Sequence, residues 1–597
     1  MKLSDYVVEF FEKEKLKDIF MVSGGGCMHL VNSFGKSEKI HYWCTHHEQA
    51  AAMAAEGYAK EKNDIGVVLT TSGPGATNTI TGVLDCYQDS IPVIFISGQA
   101  KRKQTVYNAE IDGLRQFGVQ EANIIPIVQS ITKYAVEVEN PQKIKYYLER
   151  AIYEAKSGRP GPVWISIPLD VQSANIDAQE LESFEKNEDE YLTPSNEDIN
   201  YVIESLKIAK RPVIIAGHGI RLAKADELLE KFVHMYKIPV VTPIMGIDVI
   251  AGDDICNIGR IGTKGTRAGN FAMQNADLII SLGSRLAVSV IGHEYELFAR
   301  EAKKIVVDID KIEHSKKTIK IDKLIYCDVE CFLKNLCLKE VEISTFDNWL
   351  DICRKWKEKY PVILSEYDND EFGINYYKFI DILNHRMSKE MPVVSDAGSA
   401  FYVVAQAINL KKGQRHITTG GTATMGFTLP AAIGVAIANN SKPVLAITGE
   451  GSFMQNLQEL EVLKYHSLNI KLFVMDNGGY FSIHQTQKKF FNRNYVGESE
   501  QSGLSFTDIE KLAYAFGVAY YKLETIQQCE EKLEEILNRK GPVLIEVRVT
   551  DNMEVIPTNA SLMREDGIMI SKPLEDMYPF LDRNEFKENM IIKPIEE

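Results

Sequence analysis

Short apolar runs, each closed by glycine, proline or small polar residues and followed by a helix-forming stretch, recur through most of the chain. No other feature limits the fold as strongly. A first set comprises "IGVVLTTSGPGATNTITGVLDCYQ", "IPVIFISGQ" and "GPVWISIPLDV"; a second comprises "RPVIIAGHGI", "IPVVTPIMG", "ADLIISLGSRL" and "KIVVDIDK". A third holds "MPVVSDAGSA", "KPVLAITGEGS", "IKLFVMDNGG" and "GPVLIEVRV". Uninterrupted apolar strands alternating with helices predict parallel sheets covered on both faces. At 597 residues the chain is too long for one core. Two acidic stretches, "IDAQELESFEKNEDEYLTPSNED" and "TFDNWLDICRKWKEKYPVILSEYDNDEFG", separate the sets. The expected fold class is α/β, with three doubly wound parallel-sheet domains at 1–178, 195–340 and 365–550 and a tail at 551–597.

A net charge of −16 argues against nucleic acid or an anionic membrane as the partner. The nine cysteines form no CxxC pair, which fits reduced thiols and a cytoplasmic protein. Cys327 and Cys331 read as core residues. The first segment, "MKLSDYVVEFFEKEKLKDIF", reads as an amphipathic helix capped by Ser4, with charges that do not suit a signal peptide. No apolar run reaches membrane-spanning length.

Ligands of open parallel sheets sit beyond the carboxyl ends of strands, where glycine-rich turns lead into helices. "SGGGCMH" with Gly26, "SGPGATN" with Pro74 and Asn78, "DAGSA" with Gly398 and Ser399, and "GEGS" with Gly451 and Ser452 are such turns. Glu450 ends one strand and Asn477 the next, so the carboxylate, the amide oxygen and a main-chain carbonyl near Gly479 are expected to converge. Hard oxygen ligands of that kind suit Mg²⁺ sharing its shell with phosphate. A helix starting near Ser452 and Phe453, with Tyr480 just beyond, would favour the same anion.

The stretch from Glu450 to Asn477 resembles the thiamine diphosphate motif, Gly-Asp-Gly followed at a distance by Asn-Asn, with Glu450 for the usual Asp and Asp476 for the first Asn. "CTHHEQAAAMAAEGYAK" resembles the segment carrying the essential glutamate of thiamine enzymes, here Glu48. "TTSGPGATNTITGVLDCYQDSIPVIFISGQ", "VQEANIIPIVQSITK" and "TTGGTATMGFTLPAAIGVAIA" resemble acetohydroxyacid (acetolactate) synthases. The resemblance runs from the first helix to about residue 550. It implies that thiamine diphosphate and Mg²⁺ are cofactors and that Glu48 hydrogen-bonds the aminopyrimidine ring. It also implies that Met425 wedges the cofactor, that Gln120 lies near the reacting centre, and that Lys133, the lysine of "SITK", is a substrate residue. A homodimer or homotetramer follows, with active sites at the subunit interface. Arg285 in "GSR" raises FAD as a further cofactor, which the absence of the family's Asp-Asp-Arg weakens.

Departures from the biosynthetic synthases gather around the substrate. "FDDRVTG" becomes "LAVSVIG", putting Ser289 where the family has an acceptor-binding arginine. "RQWQ" becomes "HQTQ" with Thr486, "AFQE" becomes "GVQE" with Val119, and "IPKD" becomes "IPLD" with Leu169. Losing an arginine that pairs with a carboxylate removes roughly 2–5 kcal/mol of acceptor recognition. Acetolactate synthase-like proteins associated with bacterial surface polysaccharides resemble the chain more closely, through "GTKGTRAGNFAMQNADLIISLGSRL", "GYFSIHQTQKKFF" and "SKPLEDMYPFL". That resemblance implies decarboxylation of a 2-oxo acid such as pyruvate, with transfer of the acyl unit to a carbonyl acceptor that includes keto sugars. An authentic acetolactate synthase, a plain 2-oxo acid decarboxylase or oxidase, and a non-catalytic binding protein are the alternatives.

Overall fold

The computed structural model describes residues 1–186, 192–339, 342–369, 371–550, 553–563 and 569–595. Parts of the first acidic linker and of the tail therefore lie outside the described residues. Three six-stranded sheets carry the fold, and every strand pair in them is parallel. The first contains β1 (Asp18–Met21), β2 (His41–Cys44), β3 (Gly66–Thr70), β4 (Val93–Gln99), β5 (Tyr134–Glu137) and β6 (Val163–Pro168). The second contains β7 (Pro212–Ala216), β8 (Val240–Thr242), β9 (Asn257–Arg260), β10 (Leu278–Leu282), β11 (Lys303–Asp308) and β12 (Lys323–Tyr326). The third contains β13 (Val393–Ser395), β14 (His416–Ile417), β15 (Val444–Gly449), β16 (Ile470–Asp476), β17 (Ala519–Leu523) and β18 (Val543–Arg548).

Strand order explains where sites can form. The first sheet runs β2-β1-β3-β4-β6-β5, and the third repeats it as β14-β13-β15-β16-β18-β17. The second runs β12-β11-β10-β7-β8-β9. In each, connections from two neighbouring strands leave in opposite directions, which opens a crevice between β1 and β3, between β7 and β10, and between β13 and β15. The central strands are apolar because helices cover both faces, as in β4 and β6, where every residue is buried.

The first and third sheets are joined by two helices, Glu48–Lys62 and Thr428–Ala438. Their small residues allow close contact: a Cβ at Gly57 would meet the Ala431 carbonyl at 2.3 Å, and one at Gly434 the Ala54 carbonyl at 1.8 Å. The second acidic stretch forms the helix Asp347–Lys359, which buries Trp349, Leu350, Cys353 and Trp356 in the core of the middle sheet. Ser4 is not the cap expected of it. Lys2 holds that position without a side-chain bond, and Ser4 is buried, accepting from Ser33 Oγ at 2.9 Å. All nine cysteines are free; Cys327 is buried as expected, whereas Cys331 is half-buried. Among the described residues no helix is long and apolar enough to cross a membrane.

Candidate active site

The crevice of the third sheet gathers oxygen atoms. Glu450 follows β15 and Asn477 follows β16, neighbouring parallel strands, so both residues emerge at one edge. Glu450 Oε1 accepts from the main-chain N–H of Asn477 at 3.3 Å and of Gly479 at 2.7 Å. Asn477 Nδ2 donates to the Gly479 carbonyl at 3.2 Å. The left-handed backbone of Gly478 (φ +76°) makes the turn that brings these groups together. Among the described residues no cationic side chain pairs with Glu450, which is 3% exposed. Burial, with the Asp476 carboxylate close by, pushes its carboxyl up to about 8. Asp476 itself faces Arg548 at 3.3 Å.

The helix expected from Ser452 begins instead at Glu450 and is four residues long, Glu450–Phe453, because Gly449 already occupies the N-cap. Ser452 and Gly451 lie inside it. The Tyr480 ring lies against Gly451, where a Cβ would meet it at 2.0 Å. Gly398 and Ser399 open the helix Gly398–Ala407 after β13, on the other side of the crevice. Met425 accepts a weak bond from Gln455 Nε2 at 3.6 Å.

One residue that sequence reasoning passed over ties these pieces together. Asp396, fully buried, accepts from Ser452 Oγ at 2.5 Å, Thr448 Oγ1 at 3.2 Å and the Thr428 N–H at 3.2 Å. Burial pushes it up to about 6. Its signal was its place in "SDAGSA", at the end of a strand beside the crevice.

The edge of the first sheet presents a second group. Glu48 opens the helix Glu48–Lys62, with His47 as N-cap accepting from the Gln49 N–H. Asn78 Nδ2 donates to Glu48 Oε2 at 3.0 Å. Pro74 starts the short helix after Gly73 (φ +62°), and a Cβ at Gly73 would strike the Gln120 carbonyl at 2.4 Å. The Gly26 N–H donates to Thr71 Oγ1 at 2.9 Å. Glu48, Asn78, Pro74, Gln120 and Gly26 thus share one edge, where Val119 is 87% exposed. Lys133 does not join them. It precedes β5, at the opposite edge of the sheet, and donates to the Ser157 carbonyl at 2.5 Å.

Polar bonds across the helix pair link the two edges. Glu459 accepts from the N–H groups of His46 and His47, at 3.1 Å for each shorter bond. Asn456 Nδ2 donates to Gln49 Oε1 at 3.2 Å and to the Gly426 carbonyl at 2.8 Å. Lys60 contacts Glu56 at 2.7 Å and Asp89 at 2.9 Å, and donates to the Thr418 carbonyl at 2.6 Å. Asp89 also accepts from the N–H groups of Gly420 and Gly421, and Asp85 from the Thr422 and Thr424 hydroxyls. The first sheet's acids thereby hold the loop that leads into Met425.

The crevice of the middle sheet opens into a cavity of about 650 Å³. Ser289, in the helix Val288–Ile291, and Arg285 line it. Arg285 donates to the Gln88 carbonyl at 3.0 Å and lies 3.6 Å from Glu313. Thr486, exposed on the helix Phe481–Phe490, bonds back to the Ser482 carbonyl.

Each of the three sheets overlaps one of three matched regions. Residues 1–119 match the N-terminal TPP binding domain of thiamine pyrophosphate enzymes, 199–336 the central domain and 396–547 the C-terminal TPP binding domain. The acetolactate synthase large subunit of Lactococcus lactis subsp. lactis (strain IL1403) is 31% identical over 573 residues, covering 95% of this chain and 96% of its own. The isozyme 2 large subunit of Escherichia coli (strain K12) is 32% identical over 557 residues, covering 93% and 97%. The probable acetolactate synthase large subunit of Methanocaldococcus jannaschii is 32% identical over 575 residues, covering 93% of each. With likeness at this level along nearly the whole length of both partners, the chain belongs to the acetolactate synthase-like thiamine pyrophosphate enzymes.

Proposed function

We propose that the chain decarboxylates a 2-oxo acid, pyruvate foremost, and joins the acyl unit to a carbonyl acceptor larger than a second pyruvate, a keto sugar being the favoured class. The observation that carries the cofactor half of this reading is Glu450, a buried carboxylate with two main-chain donors and no cationic partner among the described residues. A divalent ion would replace the proton that burial favours on this carboxyl and supply the counter-charge to its ionised form. Glu450, the Asn477 amide oxygen and the Gly479 carbonyl fit Mg²⁺ as hard donors. Gly398, Ser399, Gly451 and Ser452 offer main-chain N–H groups and a hydroxyl to a diphosphate, and Tyr480 and Met425 offer apolar surface beside it. When bound, thiamine diphosphate supplies a carbon nucleophile that also serves as an electron sink.

The chain's own residues then have separate tasks. Glu48 would hydrogen-bond a ring nitrogen of the bound cofactor and relay a proton there, with Asn78 fixing its orientation. Because Glu48 and the exposed Val119 and Gln120 stand at an open edge, we infer a homodimer or homotetramer in which this edge completes a neighbour's site. Val119, Ser289 and Thr486 bound the acceptor with less bulk and charge than the biosynthetic synthases have, which supports the altered acceptor. Lys133 stays a substrate assignment on resemblance alone. A flavin seated beside Arg285 is the remaining cofactor proposal, and the absorbance spectrum of the purified protein decides it.

The test is incubation with pyruvate, thiamine diphosphate and Mg²⁺ alone. Slow or absent acetolactate formation, accelerated pyruvate consumption on adding keto sugars, and a new branched product are expected. Rapid acetolactate formation with no added acceptor would return the chain to authentic acetolactate synthase.

A further inference from the structure

A narrow cleft beside the crevice of the third sheet is lined by Tyr376, Ser399 and Asn477 and, on its other walls, by the apolar Met475, Phe481 and Val549. Two of the polar residues belong to the site already described. Ser399 lies in the first turn of the helix Gly398–Ala407, and Asn477 donates to the Gly479 carbonyl while its amide oxygen suits a metal. The third, Tyr376, is 1% exposed. Its buried hydroxyl has no hydrogen-bond partner among the described residues. A hydroxyl buried in that way carries its full desolvation penalty until an acceptor meets it.

The backbone fixes where that hydroxyl stands. Tyr376 opens the helix Tyr376–Arg386, whose N-cap Asn375 accepts from the Tyr377 N–H. Just before it, the Ile374 N–H donates to the Arg548 carbonyl at 2.9 Å, and the Ile374 carbonyl accepts from the Thr550 N–H at 3.1 Å. Arg548 lies opposite Asp476 in the register of β16 and β18. The helix of Tyr376 therefore starts at the sheet edge from which Asn477 emerges. Its neighbour Tyr377 is an ordinary core tyrosine, donating to Gln406 Oε1 at 2.6 Å; Tyr376 has no such outlet. Burial, with the Asp396 carboxylate close by, raises the Tyr376 phenol well above its ordinary value, so at neutral pH it is a donor. The first-turn N–H groups of the helix Gly398–Ala407, on the same cleft, have no partner within the helix and favour an anion.

We propose that Tyr376 is a cofactor-binding residue, its hydroxyl donating to a diphosphate oxygen of thiamine diphosphate in the cleft that it shares with Ser399 and Asn477. Such a donor adds recognition without adding charge beside the metal ligands. This assignment rests on thiamine diphosphate as the cofactor of the crevice, and its test reads binding and stability rather than turnover. A wild type that fails to bind thiamine diphosphate with Mg²⁺ sinks the cofactor reading and the assignment together. A wild type that binds it, and a Tyr376→Phe variant that binds it equally well, sink the assignment alone.

Tyr376→Phe removes the hydroxyl and keeps the ring. Titrated by calorimetry with thiamine diphosphate in the presence of Mg²⁺, the variant should bind at least about tenfold more weakly than the wild type. Inorganic pyrophosphate, used as a competitor, should lose affinity by the same factor. Urea unfolding supplies the readout that a merely structural tyrosine would not give. Without cofactor the variant's midpoint should equal or exceed that of the wild type, because an unpaired buried hydroxyl is gone; with saturating cofactor it should fall below. Equal affinity for thiamine diphosphate in the two proteins would overturn the assignment. Undiminished pyrophosphate affinity would overturn it too, by placing the hydroxyl on another part of the cofactor. So would a cofactor-free variant that is less stable than the wild type or does not fold, since the hydroxyl would then have its partner within the protein.

Discussion

Two crevices of this molecule lie at the same kind of place in a sheet and differ in how their charges are balanced. At the third sheet a buried carboxylate, Glu450, has main-chain donors and no cation. At the middle sheet a wide cavity is lined by both signs, Lys156, Arg159, Lys264 and Arg285 with Asp89, Asp308, Glu313, Asp328 and Glu330, most of them paired. Topology fixes both places, because each lies where strand order reverses. Chemistry sets what each place takes: the first asks for a cation, whereas the second holds both signs and is largely neutralised already. Fold repeats along the chain, and function is divided by the few side chains that the repeat leaves unneutralised.

Lys60 supplies the contrast that tests this argument, since it is a buried cation that already has its partners. Lys60→Met should leave Glu56 and Asp89 uncompensated and destabilise the enzyme by about 3–5 kcal/mol, seen as a lowered urea midpoint. A midpoint within error of the wild type would mean that buried charges here need no partner, and the comparison would fail. Glu48→Gln separates the first sheet's edge from the third sheet's crevice. Turnover should fall by about 100-fold while calorimetric affinity for thiamine diphosphate stays near wild type. Asp396→Asn keeps the shape and removes the charge that gathers Ser452, Thr448 and Thr428. Cofactor affinity should drop by roughly 2 kcal/mol, about thirtyfold.

The strands were legible because a parallel strand buried on both faces has to be apolar, as "VLAIT" and "KLFVM" show. The meeting of Glu450 with Asn477 was legible for the same reason: adjacent parallel strands end together. What stayed hidden is contact across the chain. Lys60 reaches Thr418 and Glu459 reaches the turn before Glu48, and nothing near Lys60 or Glu459 in sequence announces either partner. Nothing in the stretch "GTKGT" announces that its turn packs on Ser289, whose carbonyl accepts the Thr263 N–H. Ser4 was misread because a serine early in a helix suits both a cap and a buried position.

Glu450→Gln tests the central claim most directly, because it removes the charge and keeps the side chain's size. Titrating thiamine diphosphate into apoprotein with and without Mg²⁺, the account predicts metal-dependent binding for the wild type and a loss of about 100-fold in the variant. Equal affinity and equal Mg²⁺ dependence in the two proteins would contradict it.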